Sequence, residues 1–365
     1  MGVKNISLRK RLALELFRIH KQNKAKLHPL SYLFWECTLR CNLSCQHCGS
    51  DCRKIMQQKD MPLGDFLNVI DQITPHVNTH KTMIVLTGGE PLLREDLEIC
   101  GYELYKREYP WGIVTNGLEL TDDKIKRLLA AGMRAVTISL DGLEKSHNRM
   151  RRNNHSFQQA FHAIQTLVAL EDEILFDVVS CITQHTFHEL AALKELLIEA
   201  GVKRWRIFTV FPIGRAASND ELQLTPTQFK ALFDFIKESR FEKRIQIEYG
   251  CEGFLGDYEA DVRDNFFFCR AGISVGSILV DGSISACPNL RSNLIQGNIY
   301  KDNFIDIWNN KYQKFRDRKW TKQGECKDCH FFRYCLGNGM HLRDDEGKLL
   351  FCHLKRIEEG ENHGC

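Results

Sequence analysis

An α/β fold on a parallel sheet, either open or curved into a partial barrel, with a small cysteine-rich domain after it, is what this sequence predicts. Three observations carry that expectation. From about residue 31 to residue 211, short apolar, β-branched runs alternate with helix-like stretches, the pattern of consecutive βα units. Near residue 212 that pattern breaks, at Pro212, Gly214 and Pro226, and after residue 250 the chain turns irregular and rich in Gly and Cys. Nine of the fifteen cysteines fall into two clusters separated by a stretch where cysteines are sparse. The expected organisation is a basic amphipathic extension over 1–30, the α/β unit over 31–249 and the cysteine-rich domain over 250–365.

In order along the chain, residues 7–24 read as a basic amphipathic helix with Leu8, Leu12, Leu16 and Ile19 on one side. It is expected to pack on the main domain, with a membrane-surface or partner-binding role as the alternative. Strands are expected at 31–37, 83–87, 112–115, 135–140, 176–182 and 206–211, and helices at 122–131, 157–170 and 188–200. Gly132 and Gly201 follow two of those helices and suit C-caps, because a helix often ends in a left-handed residue. A further helical stretch covers 227–239, and Asp281-Gly282 between apolar runs signals a hairpin.

Composition narrows the class. The hydrophobic share of 43% and charged share of 27% suit a globular protein with a full core. A net charge of +3 points strongly to no partner, and no nucleic-acid role is expected. No run of eighteen apolar residues exists, so no transmembrane segment is expected. Arg9, Lys10, Arg11 and Arg18 interrupt the early apolar runs, unlike a secretory signal. A cytoplasmic location follows, and there clustered cysteines more often bind metal than form disulfides.

The first cluster contains Cys41-Asn-Leu-Ser-Cys45-Gln-His-Cys48, a C-x3-C-x2-C spacing just after the first strand. Three thiolates on one loop can hold three irons of a cubane and leave the fourth iron open. A zinc site that recruits Cys37, Cys52 or His47 is the competing reading. The position argues against zinc. Parallel sheets place ligand sites at the C-terminal ends of their strands. The other polar motifs sit at that same edge: Thr87-Gly88-Gly89-Glu90-Pro91, Thr115-Asn116-Gly117 and Ser139-Leu140-Asp141-Gly142.

With these residues the sequence resembles the radical S-adenosylmethionine (SAM) superfamily over roughly residues 31–215. The C-x3-C-x2-C loop, with His47 before its last cysteine, and the Gly-Gly-Glu-Pro motif carry the resemblance. It implies a partial (β/α)6, TIM-like barrel and a [4Fe–4S] cluster on Cys41, Cys45 and Cys48 whose open iron binds SAM. It also implies reductive cleavage of SAM to a radical that abstracts hydrogen from substrate, fed by a low-potential donor such as flavodoxin or ferredoxin. Gly88 and Gly89 would let backbone carbonyls approach the methionyl ammonium, with Glu90 accepting from it too. Asn116 and Ser139 lie where related enzymes contact SAM, and Arg151 where they place an arginine on its carboxylate. Arg149 and Arg152 compete for that role.

The later cysteines resemble the SPASM extension of peptide- and protein-modifying radical SAM enzymes. Cys269 is followed after twelve residues by Gly282 and, after four more, by Cys287; then come Cys326-x2-Cys329-x5-Cys335 and Cys352. Gly297-Asn298-Ile299 and Pro212-Ile213-Gly214-Arg215-Ala216 fit the same group. The resemblance implies one auxiliary [4Fe–4S] cluster on Cys326, Cys329, Cys335 and Cys352, with zinc as the alternative there. An inner cluster on Cys269 and Cys287 stays open, because the family's next cysteine is Gly339 here; Cys251 is one candidate recruit. Sulfatase-maturing relatives carry an aspartate base where this chain has Pro288, which argues against that activity. Cys100, Cys181 and Cys365 show no ligand spacing. The leading expectation is an enzyme that modifies a peptide or small protein. Tetrapyrrole side-chain modification and a non-catalytic metal-binding scaffold are the alternatives.

Overall fold

The computed structural model describes residues 6–362, so Cys365 lies outside the described residues. Ten strands form a single sheet. They are β1 (Tyr32–Thr38), β2 (Met83–Gly88), β3 (Trp111–Thr115), β4 (Met133–Ser139), β5 (Leu175–Ile182), β6 (Arg204–Thr209), β7 (Gln246–Tyr249), β8 (Val275–Ile278), β9 (Ser283–Ser285) and β10 (Gly297–Asn298). The helices are α1 (Leu8–Leu27), α2 (Leu63–Ile73), α3 (Leu97–Lys106), α4 (Asp122–Ala130), α5 (Glu144–Arg151), α6 (Ser156–Val168), α7 (Leu190–Glu199), α8 (Pro226–Glu242), α9 (Phe304–Asn310), α10 (Gln313–Arg316), α11 (Phe332–Cys335) and α12 (His353–Asn362).

Strands β1 to β7 pair in chain order and in parallel, the outcome expected when helical crossovers separate them. β7 lies at the far edge and does not return to β1, so the barrel is partial. All six expected strands are present. β7 adds a seventh, whose four residues are too few to stand out in the sequence.

Local chemistry fixes the helix ends. Thr121 Oγ1 accepts from Lys124 N at 3.3 Å and opens α4, and Thr225 with Gln228 forms a capping box around Pro226 at the start of α8. Gly132 and Gly201, just past α4 and α7, adopt φ of +91° and +85°, the left-handed geometry that favours glycine at these ends. The core runs along both faces of the sheet. Trp35 of β1 stacks on Phe66 of α2 at 4.1 Å, and Trp111 and Trp205 are fully buried. Burying an aromatic ring of this size contributes on the order of 2–3 kcal/mol.

The cysteine-rich segment is joined to the barrel in two places. β8 pairs in parallel with β1 on the side opposite β2, and β9 and β10 continue antiparallel from it. α12 packs back onto α8. The same sheet therefore crosses residue 250.

The N-terminal helix departs from the sequence expectation. Leu8, Leu12, Leu16 and Ile19 face solvent. α1 packs instead through Leu14, Phe17 and Lys21. The Phe17 ring lies 5.4 Å from that of Phe266, and Lys21 Nζ donates to the carbonyl of Tyr334. The helix is thus seated on the cysteine-rich segment, and no described helix is long and apolar enough to cross a membrane.

Candidate functional site

The loop after β1 carries three of the thiols. Cys41 and Cys45 are buried and Cys48 is half-buried. The loop is closed by Cys41 N donating to Arg53 O at 2.9 Å, Cys48 N to Cys45 O at 3.4 Å and Gln46 N to Met150 O at 2.9 Å. N–H groups reach the sulfurs: Asn116 Nδ2 lies 3.9 Å from Cys41 Sγ and Arg151 Nη1 3.7 Å from Cys45 Sγ. Burial pushes the Cys41 thiol up to about 12 and raises that of Cys45. Cys48 moves the other way, chiefly because the Cys52 thiol donates to it, with Arg215 nearby.

The end of β2 holds the start of that loop. Gly89 N donates to Thr38 O at 2.8 Å and Glu90 N to Arg40 O at 2.9 Å. A Cβ on Gly88 would sit 2.0 Å from Thr38 O, and one on Gly89 would sit 2.1 Å from Arg40 O. Both glycines are therefore needed for the strand end to approach the loop backbone. The Glu90 carboxylate is fully buried and accepts from Thr115 Oγ1 and Asn116 N at 2.8 Å each, and from Leu92 N at 3.2 Å. Burial lifts its pKa to about 7 against those three donors. The geometry gives Glu90 a bracing role, tying β2 to the end of β3. Asn116 completes the brace by donating to Asn42 Oδ1 at 2.9 Å.

At the ends of β4 and α5 a charged cluster backs the loop. Arg151 Nε donates to Asp141 Oδ2 at 2.7 Å, and Cys181 N donates to Asp141 Oδ1 at 3.0 Å. His47 Nε2 lies 3.7 Å from the same carboxylate. Asp141 is held well below the usual carboxylate range: burial opposes ionisation, and Arg151, His47 and His147 overcome it. Burial takes His47 down to about 4, so it is neutral, and its Nδ1 is buried without a partner. Ser139, the last residue of β4, is half-buried at the same edge. Arg149 and Arg152 flank the buried Arg151, and Arg152 adopts φ +53° just past α5.

Arg215 was given no role by the sequence reading beyond its place in a resemblance. Its backbone N donates to Cys48 O at 3.0 Å, Nε to Cys45 O at 2.7 Å and Nη1 to Cys52 O at 2.9 Å, while Asp51 pairs with it at 2.8 Å. Gly214 lies against the same loop, where a Cβ would meet Gly49 O at 2.4 Å. The Pro-Ile-Gly-Arg segment after β6 thus clamps the cysteine loop from the far side of the barrel.

The later thiols fall into two neighbourhoods. Cys335 is raised to about 12 and Cys352 to about 11 by burial, with Cys326 a neighbouring thiol of both and Cys329 of Cys352. Arg343 Nη2 approaches Cys326 Sγ at 3.7 Å, and Asn338 N donates to Cys335 Sγ at 3.1 Å. Separately, burial lifts Cys287 to about 12, with Cys251 and Cys269 as its neighbouring thiols. Gly339 N donates to Glu252 O at 3.0 Å, and Arg318 bridges Cys269 O and Asn338 O at 3.2 and 3.1 Å. Position 339, where the family pattern has a cysteine, is therefore bonded to the residue after Cys251, and its neighbour Asn338 shares Arg318 with Cys269. Cys100 is buried in α3, and the Cys181 thiol sits with His47 and Asp141, ligand atoms within 4.8 Å of one another.

These donor sets fit iron–sulfur clusters. Burial makes ionising an isolated thiol costly, and bound metal reverses that cost. Side-chain N–H groups aimed at sulfur are the contacts that tune such clusters.

Comparison with known proteins agrees. The radical SAM superfamily profile matches residues 35–197, and that of the SPASM iron–sulfur cluster-binding domain matches residues 269–330. The AdoMet-dependent heme synthase of Methanosarcina barkeri is 25% identical over 329 residues, covering 83% of this chain and 89% of that protein. The mycofactocin maturase MftC of Mycolicibacterium smegmatis is 29% identical over 337 residues, covering 88% and 81%. The fold is shared with anSMEcpe, solved with AdoMet and a peptide (TM-score 0.71, 21% identity, 92% of this chain and 96% of that one). It is also shared with Streptococcus suis SuiB bound to S-adenosylmethionine (TM-score 0.68, 16% identity, 87% and 76%). The cofactors are accordingly SAM, a [4Fe–4S] cluster and auxiliary iron–sulfur clusters. The chain belongs to the radical SAM superfamily, as an enzyme with a C-terminal SPASM domain.

Proposed function

We propose that this enzyme modifies a peptide or small protein in the cytoplasm, with Cys41, Cys45 and Cys48 holding the SAM-binding cluster. The observation that carries the assignment is the convergence of Asn116, Arg151 and Arg215 on that one loop. When bound, the cluster supplies one-electron reductive cleavage of SAM. The chain's residues do the rest. Gly88, Gly89 and Glu90 fix the strand end beside the loop; Asn116 and Ser139 line the same edge. Arg151, locked by Asp141, presents a guanidinium suited to a carboxylate. Cys326, Cys329, Cys335 and Cys352 form the outer auxiliary set and Cys269 and Cys287, with Cys251 beside them, the inner one. Residues 31–249 serve as the catalytic unit and 250–365 as the auxiliary-cluster unit.

A peptide substrate is supported by the likeness to a mycofactocin maturase. Tetrapyrrole modification is the second reading, supported by the likeness to heme synthases. The test is anaerobic reconstitution with iron and sulfide counted per chain, then a dithionite assay for 5′-deoxyadenosine with a peptide or an iron porphyrin added. Peptide-stimulated product with a mass change in the peptide is expected. Stimulation by porphyrin alone, or porphyrin copurifying with the protein, contradicts the peptide reading.

A further inference from the structure

Helix α1 is held by one face and leaves another uncovered. Its seated face is fixed by Leu14, by Phe17 against Phe266 and by Lys10, whose Nζ lies 3.3 Å from Asp261. The opposite face carries Leu8 (85% exposed), Leu12 (63%), Leu16 (63%), Ile19 (47%) and Leu27 (74%). At 3.6 residues per turn these five fall within an arc of about 100°. Single exposed leucines are ordinary on a protein surface, but five within one arc of a helix make an apolar strip, here shared with Arg9, Asn23 and Lys26.

Charge identifies what covers it. α1 contains seven Lys and Arg residues against a single acid, Glu15, and Glu15 is already paired with Arg18 at 2.7 Å. Exposed Arg9 and Lys26 lie at the two edges of the strip, and Arg11 lies about 60° beyond one of them. Apolar side chains flanked by cations are what a helix needs to lie in a lipid interface, with leucines below the headgroups and guanidinium and ammonium groups at the phosphates. We propose that α1 docks this enzyme, lying flat, on a membrane surface rich in anionic lipid. Seating on the cysteine-rich segment keeps the helix ordered before it meets the membrane.

The test is flotation of the anaerobically reconstituted full chain with vesicles of one part phosphatidylglycerol to three parts phosphatidylcholine, beside pure phosphatidylcholine vesicles. The chain is expected to float with the anionic vesicles and to bind at least tenfold less to neutral ones or in 0.5 M NaCl. The Leu12→Gln/Leu16→Gln variant, altered only at exposed positions, should lose binding at least tenfold while keeping its circular dichroism and iron content. Phe241→Gln, 89% exposed outside α1, should bind as the parent does. Failure to float with anionic vesicles, or undiminished flotation of the double variant, overturns the proposal. So does sedimentation showing that the strip joins two copies of the chain without vesicle binding.

Discussion

Arg151 Nε lies 2.7 Å from Asp141 Oδ2, and the same guanidinium reaches Cys45 Sγ at 3.7 Å. One buried ion pair thereby sets the orientation of a cation at the cysteine loop. Its geometry couples β4, which supplies Asp141 at its end, to α5, which supplies Arg151, and to the loop after β1.

Asp141→Asn should be strongly damaging, because it leaves Arg151 buried without its counter-charge. Breaking such a pair costs about 3–5 kcal/mol. Denaturant unfolding of the apoprotein should show that loss, and reconstituted variant should cleave SAM at least tenfold more slowly. Since Asp141 ionises far below neutrality, its contribution is present throughout the physiological range and disappears only as pH falls through its depressed folded value.

Glu90 gives a pH signature of the opposite sign. Its folded pKa of about 7 stands above the ordinary value of 4.5, so the folded chain binds the extra proton. Stability from this group is present in full below pH 4.5 and is lost as pH rises through 7. The change is on the order of 3 kcal/mol, at 1.36 kcal/mol per pKa unit. Urea denaturation at pH 5.5 and pH 8 should show about 2 kcal/mol of it, and Glu90→Gln, neutral at both, should flatten the difference.

Gly214→Ala tests the clamp on the cysteine loop. The position has φ +61°, and a Cβ there would lie 2.4 Å from Gly49 O. Strain and overpacking together should cost about 1–3 kcal/mol. The prediction is reduced iron retention after gel filtration, with secondary structure unchanged by circular dichroism. Arg215→Ala should have the same direction and a larger effect, since two side-chain contacts to loop carbonyls and the ion pair with Asp51 go with it.

Much of this was legible in the sequence because it is local. The thiol spacing, the Gly-Gly-Glu strand end and Thr115-Asn116 each occupy a few consecutive residues, and their place at strand ends follows from the alternation of strands and helices. Contacts between distant residues were not legible. Arg215 reaches Cys45 across 170 positions, and nothing near either residue announces the other. β8 joining the free side of β1 was hidden likewise, since parallel pairing leaves no turn between the partners. The seated face of α1 was not legible, because leucine periodicity marks an apolar strip without saying what lies opposite; here Phe266, Asp261 and Tyr334 select the other face. The bracing of Glu90 was missed for a related reason: two of its three donors, Thr115 and Asn116, become neighbours only when β2 and β3 pair.

The auxiliary sets should separate by function. Cys329→Ala should lose iron from the outer set yet still cleave SAM without modifying substrate, giving uncoupled 5′-deoxyadenosine. Iron counting alongside product mass spectrometry reads both outcomes, and full coupling in the variant would remove the outer set from the reaction.

The most direct measurement is dithionite-driven release of 5′-deoxyadenosine by anaerobically reconstituted Cys45→Ala, compared with the parent protein. The expected result is a variant that absorbs visible light and contains iron, still loaded at its C-terminal thiols, and makes no 5′-deoxyadenosine. Parental turnover in Cys45→Ala would contradict it.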